Sequence, residues 1–329
     1  MKHYRDLKEW QEAITAGDRV ALARAITLVE STRDEQMEQA AELLRLCALH
    51  TADSQRIGIT GVPGVGKSTF IDAFGSMLTE SGRKVAVLAV DPSSDISHGS
   101  ILGDKTRMER LSADPNAFIR PTATSGSLGG VARKTRETIT LCEAAGFDTI
   151  LIETVGVGQS ETAVHSMVDM FVLLVLATAG DELQGIKRGI MEMADLVIIN
   201  KDDGENANYT KLSKASYHQA LHMFPAKESN WTVPVLSCSS TLGNGMEEIL
   251  KTVDRFFHHV KVSGWLKTKR MEQNGYWLTT AISEELNHRF YNDPSTKDRL
   301  LKLELDVKAG KVSPSAAARE LLKNWGYNN

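Results

Sequence analysis

The chain has 329 residues, 42% of them hydrophobic, with 38 Lys and Arg against 42 Asp and Glu for a formal charge of −4. That length holds one large α/β domain with helical appendages or two domains, and the apolar content excludes a disordered chain. Near-balanced charge argues against a nucleic-acid binder, and no basic run suggests a membrane partner.

Residues 1–52 carry helical periodicity without strands and read as an N-terminal helical extension. Leu22, Ala25, Ile26 and Val29 form one apolar stripe, and Met37, Ala41, Leu44 and Ala48 form another. The first residues, Met1 to Asp6, are charged and lead into no apolar h-region, so no signal peptide is expected. Cys47, Cys142 and Cys238 lie far apart, which suits neither a disulfide framework nor a zinc site, and a reducing cytoplasm is the expected location.

From Arg56 the pattern becomes strand, loop, helix, repeated. Apolar runs occur at Arg56–Thr60, Val85–Val90, Asp148–Thr154, Met170–Leu176, Leu196–Ile199 and Val233–Leu236. Runs that do not alternate are the signature of strands buried on both faces, so residues 53–262 predict an α/β domain: a mostly parallel sheet with helices on both faces. The longest run, Met170–Ala177, is too short to span a bilayer. Ligands of such sheets bind at the carboxyl ends of strands, where Asp91, Glu153, Asn200 and Ser237 fall.

Beyond about residue 262 the strands stop. Gly264–Tyr291 and Thr296–Trp325 predict helices, with Ser313-Pro314 as a start signal. Trp265, Trp277, Phe290, Tyr291 and Trp325 crowd a segment that has no sheet to cover. Residues 263–329 therefore either pack on the α/β domain or pair with a second copy, and a homodimer is the expectation.

Gly61-Val62-Pro63-Gly64-Val65-Gly66-Lys67-Ser68-Thr69 follows the first strand and opens a helical pattern. This is the phosphate-binding loop (P-loop) in its strand–loop–helix setting. Its glycines let backbone N–H groups turn toward phosphate oxygens, and the helix start adds positive potential. Lys67 is placed to reach the β- and γ-phosphates and Ser68 to ligate Mg²⁺.

Asn200-Lys201-Asp202-Asp203 closes another core strand and fits the Asn-Lys-x-Asp guanine reader. A carboxylate at Asp203 can accept from guanine N1–H and its 2-amino group. Adenine presents no such donors, and sites of this kind reject the wrong partner by ~10⁴ or more. Asn200 would bridge loop and base, and the stem of Lys201 would lie along the ring. Ser239-Ser240-Thr241 sits where a backbone N–H could meet the base oxygen, and it reads equally as a Ser-rich turn before a helix near Gly245.

Glu153 ends a strand and opens the string Glu153-Thr154-Val155-Gly156-Val157-Gly158-Gln159-Ser160-Glu161. A carboxylate there can hold Mg²⁺ through water, and the glycines suit a nucleotide switch. Asp91 and Asp104 are further candidate metal-site acids, or ordinary loop caps. The loop from Gly180 to Gln184 precedes Lys187-Arg188. Lys187 could swing toward the γ-phosphate, or it could stand solvated on a first helical turn.

Together these strings, with Asp91-Pro92-Ser93-Ser94, Gly99–Met108 and Gly180–Lys187, make the chain resemble the ArgK/MeaB-type P-loop GTPases, chaperones associated with methylmalonyl-CoA mutase. The likeness runs from about residue 15 to about 260, and the ILGDKTRM, ETVGVGQSE and GDELQGIK segments make it specific. It implies Mg²⁺-dependent GTP hydrolysis to GDP, a homodimer built by the C-terminal helices, and a partner mutase carrying adenosylcobalamin. In that family GTP hydrolysis is thought to gate cofactor loading and to protect the mutase. By the same resemblance Asp91, Asp104 and Glu153 fall on metal-site acids, and Gly180–Lys187 on a third switch loop. The chain departs from many members before that loop, carrying Ala177-Thr178 where they carry Pro-Gly.

Two other classes compete. A metallochaperone GTPase would need a Cys/His cluster, and of the histidines only His218 and His222 share a helical face. A metabolic kinase, or the amino-acid-transport ATPase of an older family naming, conflicts with the guanine reader.

Overall fold

The computed structural model describes residues 6–50, 53–90, 108–121, 128–154, 160–177 and 188–325. The chain divides into two compact units, Met1–Gln273 and Asn274–Asn329.

Three helices open the first unit: α1 (Leu7–Thr15), α2 (Arg19–Glu30) and α3 (Asp34–Cys47). Asp6 and Asp18 cap the first two, each side chain accepting from N–H groups of the first turn. Leu22, Ala25, Ile26 and Val29 are buried as the periodicity predicts. On α3 the buried face is Ala40, Leu43 and Cys47, while Ala41 and Ala48 are exposed and Met37 and Leu44 half-buried. That stripe is therefore one residue out of phase with the expectation, because the apolar set of α3 is broad enough to fit either phase.

A seven-stranded sheet follows: β1 (Gln55–Gly61), β2 (Val85–Val90), β3 (Ala117–Pro121), β4 (Thr149–Thr154), β5 (Met170–Leu176), β6 (Leu196–Asn200) and β7 (Val235–Ser237). The order is β3-β2-β4-β1-β5-β6-β7, and every pairing is parallel. Between strands run α4 (Lys67–Glu80), α5 (Glu109–Ala113), α6 (Leu128–Ala144), α7 (Ser160–His165), α8 (Arg188–Met193) and α9 (Ala207–Leu221), with α10 (Met246–Val262) after β7.

The two-residue period of the strands sorts side chains to two cores. Met170, Val172 and Leu174 join Phe70, Phe74 and Leu78 of α4 and Phe256 and Phe257 of α10. Leu173, Val175 and Ala177 join Met191 of α8 and Tyr217 of α9 on the other face. Helices thus cover both faces, and the fold class is the one the unalternating runs predict.

Two edges differ from expectation. β3 was not anticipated: its run is interrupted by Arg120 and closed by Pro121, as befits an edge strand. The N-terminal helices cover that edge. Arg19 donates to the Ala117 carbonyl, Arg120 donates to the Glu30 carboxylate, and Lys134 Nζ donates to the Glu30 carbonyl at 2.5 Å. At the other edge the last strand starts at Val235 rather than Val233, because Pro234 has no N–H to give. Its carbonyl still accepts from Val197 N at 3.1 Å.

α11 (Trp265–Asn292) begins in the first unit and ends in the second, where α12 (Pro294–Lys308) and α13 (Pro314–Trp325) follow. Ser313 accepts from Ala316 N at 3.3 Å, the cap that the Ser-Pro pair predicts. Phe290 and Trp325 meet edge to face at 5.4 Å between ring centroids.

Below β1, Arg56 makes a two-pronged ion pair with Glu143 of α6 (2.7 and 3.0 Å), and Ser54 Oγ donates to the same carboxylate. Both charged side chains are buried. Glu143→Ala would strand the Arg56 guanidinium in the interior, and stability should fall by about 3–5 kcal/mol. Urea denaturation measures this directly, and a loss under about 1 kcal/mol would mean that water reaches the pair.

Candidate nucleotide site

β1 delivers the phosphate loop. Gly61 ends the strand at φ +153, and a Cβ there would stand 2.4 Å from the Leu174 carbonyl oxygen of β5. Val65 is fully buried, whereas Pro63, Gly64 and Thr69 are exposed and Val62 is half-buried. Gly66 precedes α4 at φ +93, and a Cβ on it would come within 2.8 Å of Asn200 Nδ2. Glycine is therefore required here by backbone sign and by a neighbour.

Lys67 begins α4, and its Nζ donates to the carbonyls of Gly61 (2.8 Å) and Val62 (3.3 Å). Burial pulls its pKa down, and the carboxylates of Glu153 and Glu161 oppose that pull. Ser68 Oγ donates to Glu153 Oε1 at 3.1 Å, so the lysine, the hydroxyl and the acid at the end of β4 converge. The next residue, Thr154, donates to the Thr60 hydroxyl on β1 at 2.9 Å, tying the two strand ends together.

The second half of the site comes from β6 and β7. Asn200 Nδ2 donates to the Val65 carbonyl of the phosphate loop at 2.9 Å. Its Oδ1 accepts from Ser240 Oγ at 2.7 Å and from Ser240 N at 3.3 Å. Cys238, whose thiol burial pushes up to about 12, also donates to that oxygen at 3.5 Å. Lys201 takes a left-handed backbone, φ +59, and its Nζ donates to the Gly64 carbonyl at 2.8 Å.

Asp203 accepts from Ser239 Oγ and from Thr241 Oγ1 (3.4 Å). Asp202 is turned to other work, accepting from Thr210 Oγ1 of α9 at 2.7 Å while its N–H donates to the Cys238 carbonyl at 2.9 Å. Ser239, Ser240 and Thr241 thus present side chains to the Asn200–Asp203 string, and Ser240 adds its backbone N–H.

The structure brings together Gly61 through Thr69, Glu153, Asn200, Lys201, Asp203 and Ser239 through Thr241 at the carboxyl ends of β1, β4, β6 and β7. Asp91, Asp104, Lys187 and the rest of the Gly180–Lys187 loop lie outside the described residues. Glu161, on the first turn of α7, was missed as a site residue. It is buried and its charge reaches Lys67. The available signal was a second acid closing the Gly-rich string that Glu153 opens. His218 and His222 stand 4.8 Å apart between ring centroids, and no group of three or more metal-binding side chains occurs among the described residues.

A phosphate loop on the central strand of a parallel sheet, with Asn200 joining it to a second loop, defines a P-loop nucleotide hydrolase. The family model described as "Methylmalonyl Co-A mutase-associated GTPase MeaB" matches residues 22–295. "GTPase ArgK" of Escherichia coli is 45% identical over 316 residues, 96% of this chain and 95% of that one. "Methylmalonic aciduria type A homolog, mitochondrial" of Mus musculus is 48% identical over 332 residues, 98% of this chain and 80% of that one. A solved structure described as an LAO/AO transport system kinase superposes with a TM-score of 0.75 at 37% identity, over 99% of each chain. The chain belongs to the MeaB family of mutase-associated GTPases, and its activity is GTP hydrolysis.

Lys67 lies at the phosphate end of this arrangement, its Nζ held by two carbonyls of the loop. Lys67→Ala should leave the circular dichroism spectrum unchanged and lower GTP hydrolysis by ~10²–10³-fold or more. A folded variant that releases phosphate at the wild-type rate would remove Lys67 from the reaction.

Proposed function

We propose that this GTPase is Mg²⁺-dependent and serves an adenosylcobalamin-dependent acyl-CoA mutase of the methylmalonyl-CoA type, gating cofactor loading and protecting the mutase from inactivation. The observation that carries the partner class is the mutase-associated family model, which spans residues 22–295. The named mammalian relative points the same way.

Within the site, Gly61 through Thr69 hold the phosphates. Ser68 and Glu153 offer a hydroxyl and a carboxylate oxygen from two elements, the donor chemistry of Mg²⁺, which takes one or two protein ligands beside substrate phosphates and water. Asp91 and Asp104 complete this reading as further acids. Bound there, Mg²⁺ would neutralise phosphate charge. Asp203 reads guanine N1–H and the 2-amino group, held in place by Ser239 and Thr241. Asn200 fixes the distance between base and phosphate subsites, and Lys201 lays its stem along the purine. In hydrolysis the water oxygen bonds to the γ-phosphorus as the bridging oxygen leaves on GDP.

The same reading divides the chain into an N-terminal helical part (1–52), a GTPase part (53–262) and a C-terminal part (263–329) that pairs two copies. Exposed Leu278, Ile282, Leu301, Leu305 and Leu322 support pairing, since large apolar side chains this exposed favour a partner. Among the described residues no helix is long and apolar enough to cross a membrane.

Two experiments test the reading. Asp203→Asn should weaken GTP binding and raise relative affinity for xanthosine nucleotides, because an amide can donate to the oxygen that xanthine carries in place of the amino group. Titration calorimetry that finds GTP affinity unchanged would take Asp203 out of the base subsite. Lys187→Ala should leave basal turnover nearly unchanged and lower mutase-stimulated turnover by ~10³-fold, in line with cations supplied to phosphoryl-transfer sites. Equal stimulation of variant and wild type would place Lys187 in solvent, and a mutase that leaves turnover unchanged would sink the partner assignment.

A further inference from the structure

The end of the sheet opposite the nucleotide site carries a second set of buried charges. Asp169 directly precedes β5, and its side chain is fully buried. Its Oδ2 accepts from the backbone N–H of Arg56 in β1 at 2.9 Å. The Arg270 guanidinium of α11 takes both carboxylate oxygens, Nε to Oδ1 at 2.9 Å and Nη2 to Oδ2 at 2.6 Å. The same Nη2 reaches the Ser54 carbonyl at 2.7 Å, just before β1. Lys269 Nζ donates to the Asp169 carbonyl and Gln273 Nε2 to the Val168 carbonyl, each at 2.8 Å.

Three neighbouring side chains of one helix are thus committed to a single turn and to the start of the adjacent strand. β1 and β5 are paired from Ile57↔Met170 to Gly61↔Leu174. β1 ends in the phosphate loop. Any slide of β5 along β1 would change the distance between Ser54 and Asp169, and the planar guanidinium spans both. A paired parallel strand is stiff along its axis, so such a slide at the nucleotide end must appear at this end as well. Beyond Gln273, α11 continues as one helix to Asn292.

We propose that Arg270 is a coupling residue that reports nucleotide occupancy from the ends of β1 and β5 to helix α11. The proposal rests on nucleotide binding at the phosphate loop. Buried side-chain networks of this kind carry coupling only when one end changes with ligand, so the test reads a nucleotide-dependent change rather than stability alone.

The experiment is amide hydrogen exchange on the full chain, without nucleotide, with GDP and with a non-hydrolysable GTP analogue, alongside a separate nucleotide titration. In the wild type, nucleotide should slow exchange across residues 265–273 by about 2- to 30-fold, the range expected for couplings through packed networks. In Arg270→Met that difference should vanish while nucleotide affinity stays within about twofold, because Arg270 touches no part of the nucleotide site. Arg270→Lys keeps a cation for Asp169 but cannot span to Ser54 at once, and should retain part of the difference; it also carries the test if the methionine variant fails to fold. Nucleotide-independent exchange at 265–273 in the wild type, or an undiminished difference in Arg270→Met, would overturn the proposal. A wild-type chain that binds no nucleotide in the titration would instead overturn the phosphate-loop reading on which it rests.

Discussion

A strand covered on both faces has no room for charge except at its ends. That constraint organises this molecule more than any single contact does. β1 is apolar through its middle, holds Arg56 near its start, and spills into the phosphate loop at its finish. β4 and β6 repeat the arrangement, set between Asp148 and Glu153 and between Asp195 and Asn200. Polar chemistry is driven to two opposite rims, and the helices fill what lies between.

On the upper rim the Asn200 amide has the largest structural share. One side chain meets a carbonyl of the phosphate loop and the hydroxyl and N–H of Ser240, so two loops from non-adjacent strands are set by one planar group. Its approach is possible because Gly66 has no Cβ. Lys201, held in a left-handed conformation that lysine rarely adopts, adds a second tie to the same loop. Such strain in a non-glycine residue is found where surrounding contacts overrule local preference, and here the contact is the tie to the Gly64 carbonyl. Asp202 and Asp203 are adjacent in sequence yet serve different elements, one bound to α9 and the other to the Ser239 loop.

What was legible beforehand follows from what is local. The phosphate loop and the Asn200–Asp203 string are short, contiguous and set in strand contexts, so spacing alone found them. The central strands were visible because burial on both faces leaves an unbroken apolar run. β3 was not, because its run is short and is broken by Arg120, whose partner Glu30 lies about ninety residues earlier in the chain. The burial phase of α3 could not be chosen between two neighbouring stripes until its packing partners were known. Glu161, Asp169 and Arg270 escaped for one reason: their significance lies in groups distant along the chain. No pattern around Arg270 announces that its guanidinium will meet a carboxylate about a hundred residues earlier.

The strand order has a bearing on how the chain is made. The phosphate loop is complete when Thr69 leaves the ribosome, yet the two strands that flank β1 are β4 and β5, which end at Thr154 and Leu176. At ~5–20 residues per second the central strand waits on the order of ten seconds for its second neighbour. During that interval α4, β2, β3, α6 and β4 emerge, and the edge of β1 that β5 will take stays unpaired until Leu176. The three helices that precede β1 are local structures able to form first, and they lie against the far edge of the sheet rather than against β1. Nascent chains interrupted between Thr154 and Leu176 would therefore carry an open central edge, the segment that a holding chaperone would be expected to meet.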